Sequence, residues 1–171
     1  QYSRPGGGVG STAAQVAAQA TQPLEVLVKR TTVTTGGLLI LAAVGIEIGI
    51  WGLVSPRSFY ESFPGLGQHW LREGAFDEHL LRDFAALQLA LGCLAGWAAW
   101  RRRADLIAAA GLTWLVWSVP HGYYHLAHVS SGGWLQGLSA VALPVLAGAV
   151  LATSRSSAVE RDPATYERFE Q

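Results

Sequence analysis

The chain has 171 residues, 50% of them hydrophobic and only 14% charged, with a formal net charge of zero. A soluble domain carries about 25% charged residues, so the apolar excess has to be accounted for by its distribution along the chain. Balanced charge argues against a nucleic-acid partner, and a single cysteine, Cys93, excludes a disulfide framework or a thiolate metal cluster.

The apolar residues fall in blocks. Gly36–Val54 contains one charge, Glu47, whereas Phe84–Trp100, Leu106–Pro120 and Gly132–Thr153 contain none. Runs of roughly 17–25 apolar residues match a bilayer core of about 30 Å at a helical rise of about 1.5 Å per residue. The expected fold is all-α: a four-transmembrane-helix antiparallel bundle with an extended N-terminal tail and an outer interfacial loop. Its spans are placed at about 36–54, 84–100, 106–126 and 132–153.

Residues 1–35 begin as a Gly-rich linker and continue through an Ala/Gln stretch with the capacity for a short helix before Pro23. They contain no apolar core of a secretory signal and are read as a cytoplasmic tail that offers a docking surface to another chain. Ser55-Pro56 stops the first span. The outer segment that follows carries Phe59, Tyr60, Phe63 and Trp70, aromatics suited to the headgroup level. Asp77 caps the second span, with Glu78 in its first turn. The third span continues past Pro120 into HGYYHLAH, and a short turn makes it the antiparallel neighbour of the fourth. Residues 154–171 form a second cytoplasmic tail.

Cations order these spans across the membrane. Lys29 and Arg30, Arg101–Arg103, and Arg155 with Arg161 all fall on one side, whereas Arg57, Arg72 and Arg82 on the other are diluted by acids. Both termini are therefore expected in the cytoplasm of a bacterium, with the chain multi-pass in its inner membrane and the lipid bilayer as its first partner. Small residues recur four apart at Gly45/Gly49, Gly92/Gly96 and Gly133/Gly137, a pattern that allows close helix approach in lipid.

In this topology every histidine (His69, His79, His121, His125, His128) lies on the outer side. His121, His125 and His128 occupy a stripe about 60° wide on one helix, while His79 and Asp83 are four apart on another. Glu47 can supply a third wall. A charge inside a span costs at least about 2.5–3.5 kcal/mol on insertion scales, so Glu47 is expected to be partnered or functional. Three uses remain open for this group. Its members can satisfy each other; Glu47, His79, Asp83, His121, His125 and His128 can ligate zinc, copper or iron; or Glu47 and a histidine can exchange protons with a quinone-like substrate.

The run FYESFPGLGQHW, followed by DEHLLRDFAALQLALG and HGYYHLAH, resembles a pattern in small four-helix membrane proteins of GC-rich bacteria that look like distant relatives of the DoxX-like group. The likeness covers about 36–153. It implies that Asp77, Glu78, His79, Arg82 and Asp83 open the second span and that His121, His125 and His128 close the third. Since DoxX-like relatives include subunits associated with quinone-linked oxidation, it implies by analogy an accessory subunit of a redox-linked membrane complex. The alternative is a metal-binding oxidoreductase or a quinone and proton-relay protein.

Overall fold

The structure is a computed structural model. It describes residues 13–65, 67, 69–71, 74–128 and 133–159, with side chains described from residue 31 to residue 154. Arg72, Glu73, Arg161 and the turn at 129–132 lie outside the described residues, and the side chains of Lys29, Arg30 and Arg155 are not described. Among the described residues all regular structure is helical: α1 (Ala13–Val54), α2 (Pro56–Ser62), α3 (Glu78–Arg101), α4 (Ala104–Ala127) and α5 (Trp134–Val159).

Residues 13–35, expected as an extended tail, are helical. The Ala/Gln run is rich in strong helix formers, and α1 starts there instead of at about residue 36. Residues 1–32 and 33–171 form separate compact units, and the contacts below belong to the second. There, three helical stretches are long and apolar enough to cross a membrane: Thr31–Val54, Glu78–Arg101 and Trp134–Ser154. The fourth expected span, α4, has the same 24-residue length as α3 but is not among them. Its C-terminal turns carry Pro120, two tyrosines and two histidines in place of aliphatic residues.

Local chemistry sets the boundaries. Pro56 occupies the first turn of α2, where its missing N–H is not needed. The Asp77 carboxylate accepts from the Leu80 amide at 3.0 Å, capping α3 as expected from its position. Arg102 ends α3 in the left-handed region (φ 52°), its N–H bonded to the Ala98 carbonyl. Only Arg102 and Arg103 join α3 to α4, which turns the two helices antiparallel.

The helices meet through small residues. A methyl group replacing a hydrogen of Gly92 would lie 2.6 Å from the Ile46 amide nitrogen, and one on Gly45 would lie 2.7 Å from the Gln88 carbonyl oxygen. Gly49 is equally tight against Leu89 at 2.5 Å. These three glycines bring α1 and α3 into backbone contact. Gly96 has only ordinary clearance from Ala42, at 3.7 Å, and Gly137 has nothing within 4 Å. Gly133 instead serves the start of α5, its carbonyl accepting from the Gly137 amide at 2.8 Å.

A further close approach joins α4 to α5. Pro144, inside α5, has no N–H to give the Ala140 carbonyl four residues back. That carbonyl faces Gly122 of α4, where an added Cβ would stand 2.4 Å away. Glycine thus lets α4 close over an acceptor that its own helix leaves free.

One half of the second unit is solid. Leu38, Leu41, Ala42, Leu91, Ala95, Trp114, Ala147 and Val150 are buried together. The Trp114 indole N–H donates to the Leu91 carbonyl at 3.1 Å, satisfying the one polar atom of the largest core side chain. Thr34 donates to Thr153 at 2.7 Å farther along the same half, tying α1 to α5. The other half is hollow.

Candidate ligand-binding site

A cavity of about 330 Å³ occupies this hollow half, and all five helices line it. Val44, Glu47 and Ile48 come from α1, Phe84 and Gln88 from α3, Trp117, His121 and His125 from α4, and Gln136, Ser139, Ala140, Ala142 and Leu143 from α5. Phe59 and Phe63 of α2, with Pro64, Trp70 and Leu71, close one end. These aromatics pack on one another: Phe59 tilted on Phe63 at 4.8 Å, and edge to face Phe63 on Trp70 at 5.8 Å and Trp51 on Phe59 at 5.5 Å. The segment expected at the headgroup level therefore folds inward as a roof.

The histidines of α4 divide. The His121 ring stacks on Trp117 with centroids 4.5 Å apart, and His125 meets His121 edge to face at 4.5 Å. Both rings are half-buried and line the cavity. Gln136 Nε2 donates to His125 Nδ1 at 2.7 Å, which leaves the His125 proton on Nε2. His128, at the end of the expected stripe, is turned away. It stacks on Tyr124, and its Nδ1–H donates to the Tyr124 carbonyl at 2.8 Å.

The expected partners on α3 also stay outside. His79 and Asp83 pair with each other at 3.5 Å, with side chains 91% and 67% exposed. Arg82 pairs with Glu78 at 2.9 Å and donates to the Leu53 carbonyl, clamping the end of α1 to the start of α3. His69 donates through Nδ1 to the Glu61 carbonyl at 2.6 Å. Glu47, His121 and His125 thus line one cavity, Glu47 as an exposed residue, while His79, Asp83 and His128 do not line it. Among the described residues no three His, Cys, Asp or Glu side chains come together as a metal-holding group. The side-chain directions imposed by α3 and α4 divide the expected cluster.

Sequence reasoning passed over two amides. Gln136 is 7% exposed and Gln88 is wholly buried. Neither Nε2 nor Oε1 of Gln88 has a hydrogen-bond partner. Both residues are uncharged, so a search for charges within apolar runs misses them. The available signal for Gln88 was its position: one turn from Phe84 and one turn from Gly92, on the face that α3 turns toward its neighbours.

The chemistry available is that of an apolar chamber with a few polar side chains in its wall: the carboxyl of Glu47, two imidazoles, two amides and the Ser139 hydroxyl. Volumes of about 300–1,000 Å³ with mostly apolar linings and a few convergent polar groups characterise small-molecule sites. No protein-family model, curated protein or solved structure matches the chain.

Proposed function

We propose that the protein is a four-span membrane protein with both termini in the cytoplasm of a bacterium, and that its cavity takes up a lipid-soluble ring compound of the quinone class. In this reading α1, α3, α4 and α5 cross the bilayer as an antiparallel bundle. Glu47 and the His121–His125 pair exchange protons with the bound ring. Electrons reach or leave the ring through a redox protein of the membrane complex in which this chain is an accessory subunit. The sequence likeness to DoxX-like proteins supports that last element.

One observation carries the proposal: a carboxyl and two imidazoles line a cavity whose other walls are mostly aromatic and aliphatic. Apolar walls accept a ring and its tail. The half-buried His121 and His125 rings give up hydration without a packing role that an apolar side chain could not fill, whereas reduction of a quinone to its quinol consumes two protons at the ring oxygens. Imidazole and carboxyl groups are suited to proton transfer of this kind.

The test uses the full chain in lipid nanodiscs, titrated with a short-tailed benzoquinone. Trp70 and Trp117 line the cavity, so a bound quinone quenches tryptophan emission saturably. Trp117→Phe reduces the amplitude. Quenching that rises without saturation, as for simple partition into lipid, overturns the reading.

A further inference from the structure

Gln88 is the feature of the cavity that packing does not explain. Its side chain is fully buried in the wall, and both of its amide atoms lack a partner. Buried amides in folded proteins are almost always hydrogen-bonded, because burial without a partner forfeits the hydrogen bonds that water supplied. Gln136, in the same wall, obeys this rule by donating to His125. Leucine or methionine would fill the Gln88 position at similar volume with no polar group to satisfy. An orphaned amide in a cavity wall therefore points to a partner that enters the cavity.

The level of Gln88 indicates where that partner sits. Phe84 meets Trp117 across α3 and α4, and the Trp114 indole reaches the Leu91 carbonyl. Gln88 consequently lies between the Trp114 and Trp117 levels, deep in the chamber. His121 lies one turn outward from Trp117 and His125 two. Helical rise separates the Gln88 and His121 levels by roughly 8 Å. A six-membered ring with oxygens on opposite carbons, hydrogen-bonded at both ends, is matched to a separation of that order.

We infer that Gln88 is the inner anchor of the bound ring, its Nε2–H₂ donating to a carbonyl oxygen of the quinone and its Oε1 accepting from the hydroxyl of the quinol. The ring's other oxygen then faces the His121 level. Because an amide can both donate and accept, Gln88 serves both redox forms without taking up or releasing a proton itself. Gln88 is thus a binding and specificity residue. The proton of the hydroxyl at its end is exchanged with Glu47, on the α1 turn between Gly45 and Gly49 that packs on Gln88 and Leu89. The proton of the other hydroxyl is exchanged with the His121–His125 pair. This inference rests on the proposed cavity function and adds the residue that recognises oxygen on the ligand.

The experiment compares wild type, Gln88→Leu and Gln88→Met in nanodiscs. The probes are a short-tailed benzoquinone and an alkylbenzene with the same tail and no ring oxygens, the second read by competition against the first. The expected result is roughly tenfold weaker quinone binding in both variants, in line with loss of one hydrogen bond in a desolvated site. Alkylbenzene binding stays equal or tightens, and the melting temperature of the unliganded variants is equal to or above that of wild type. Wild-type quinone binding with no loss in either variant overturns the Gln88 assignment alone. No saturable binding to wild type overturns the cavity function and this assignment together. A lowered melting temperature in both variants, with both probes weakened equally, makes Gln88 a packing residue and also overturns the assignment.

Discussion

Gln136 Nε2 donates to His125 Nδ1 at 2.7 Å, so a residue of α5 selects the tautomer of a residue of α4. The His125 proton is thereby held on Nε2. Replacing Gln136 with leucine removes the donor, and ring ¹⁵N spectra of the neutral imidazole are expected to shift from one tautomer to a mixture. Loss of one such bond costs about 0.5–1.5 kcal/mol, measurable as a fall in unfolding free energy. An unchanged spectrum would show that another group orients the ring.

Glycine substitutions should separate by position. Gly92→Ala forces a methyl group to within 2.6 Å of the Ile46 amide nitrogen, and overpacking of this kind costs about 1–3 kcal/mol. Gly137→Ala meets nothing within 4 Å and should be neutral or stabilising by up to about 1 kcal/mol through helix propensity. Denaturation of the two variants in the same detergent checks the contrast. Equal effects would mean that α1 and α3 do not approach as described.

Cys93 is free and exposed on α3, which makes the unmodified chain its own reporter of the bilayer. If α3 crosses the membrane, a membrane-impermeant maleimide should leave Cys93 unlabelled in intact vesicles and react fully once the chain is unfolded in detergent. Rapid labelling in sealed vesicles from either side would remove α3 from the lipid.

The link between α3 and α4 predicts an acid sensitivity. Hydrogen bonding from the Arg103 side chain, at 2.6 Å, holds the Asp105 carboxyl below its ordinary value of 3.8. A carboxylate with a lowered folded pKa stabilises the folded state above the unfolded value, and that contribution is lost as pH falls through the folded value. Stability of wild type relative to Asp105→Asn should therefore shrink on acidification below pH 3.8. The pair is solvent-exposed, so the effect is small and weaker in high salt. A gap that widens on acidification would contradict the pairing.

The sequence was most readable where one physical demand acted alone. Apolar blocks located α4 to within two residues at each end but missed the start of α3 and the end of α5 by six, and Asp77 marked its helix start because an unsatisfied first turn needs an acceptor. The histidines were half readable. Helical periodicity put His121, His125 and His128 on one stripe, but the end of α4 lets His128 bond its own backbone carbonyl, and no periodic rule anticipates that. His79 and Asp83 were correctly four apart, yet spacing on one helix does not say which neighbour that face meets. Gln88 was missed for a different reason: its significance lies in an absent partner, which exists only once α1, α4 and α5 have packed around it. The helix from Ala13 was underestimated because a Gly-rich beginning and Pro23 suggested a linker, whereas local propensity carried the chain into a longer helix.

The backbone contact of Gly45 with Gly92, together with the filled half around Trp114 and Leu41, has a consequence for energy coupling. The chamber ends there and does not continue as a path to the opposite face. In the proposed function, Glu47 and the His121–His125 pair exchange protons only with the side on which the chamber opens. The chain itself then carries no proton across the bilayer.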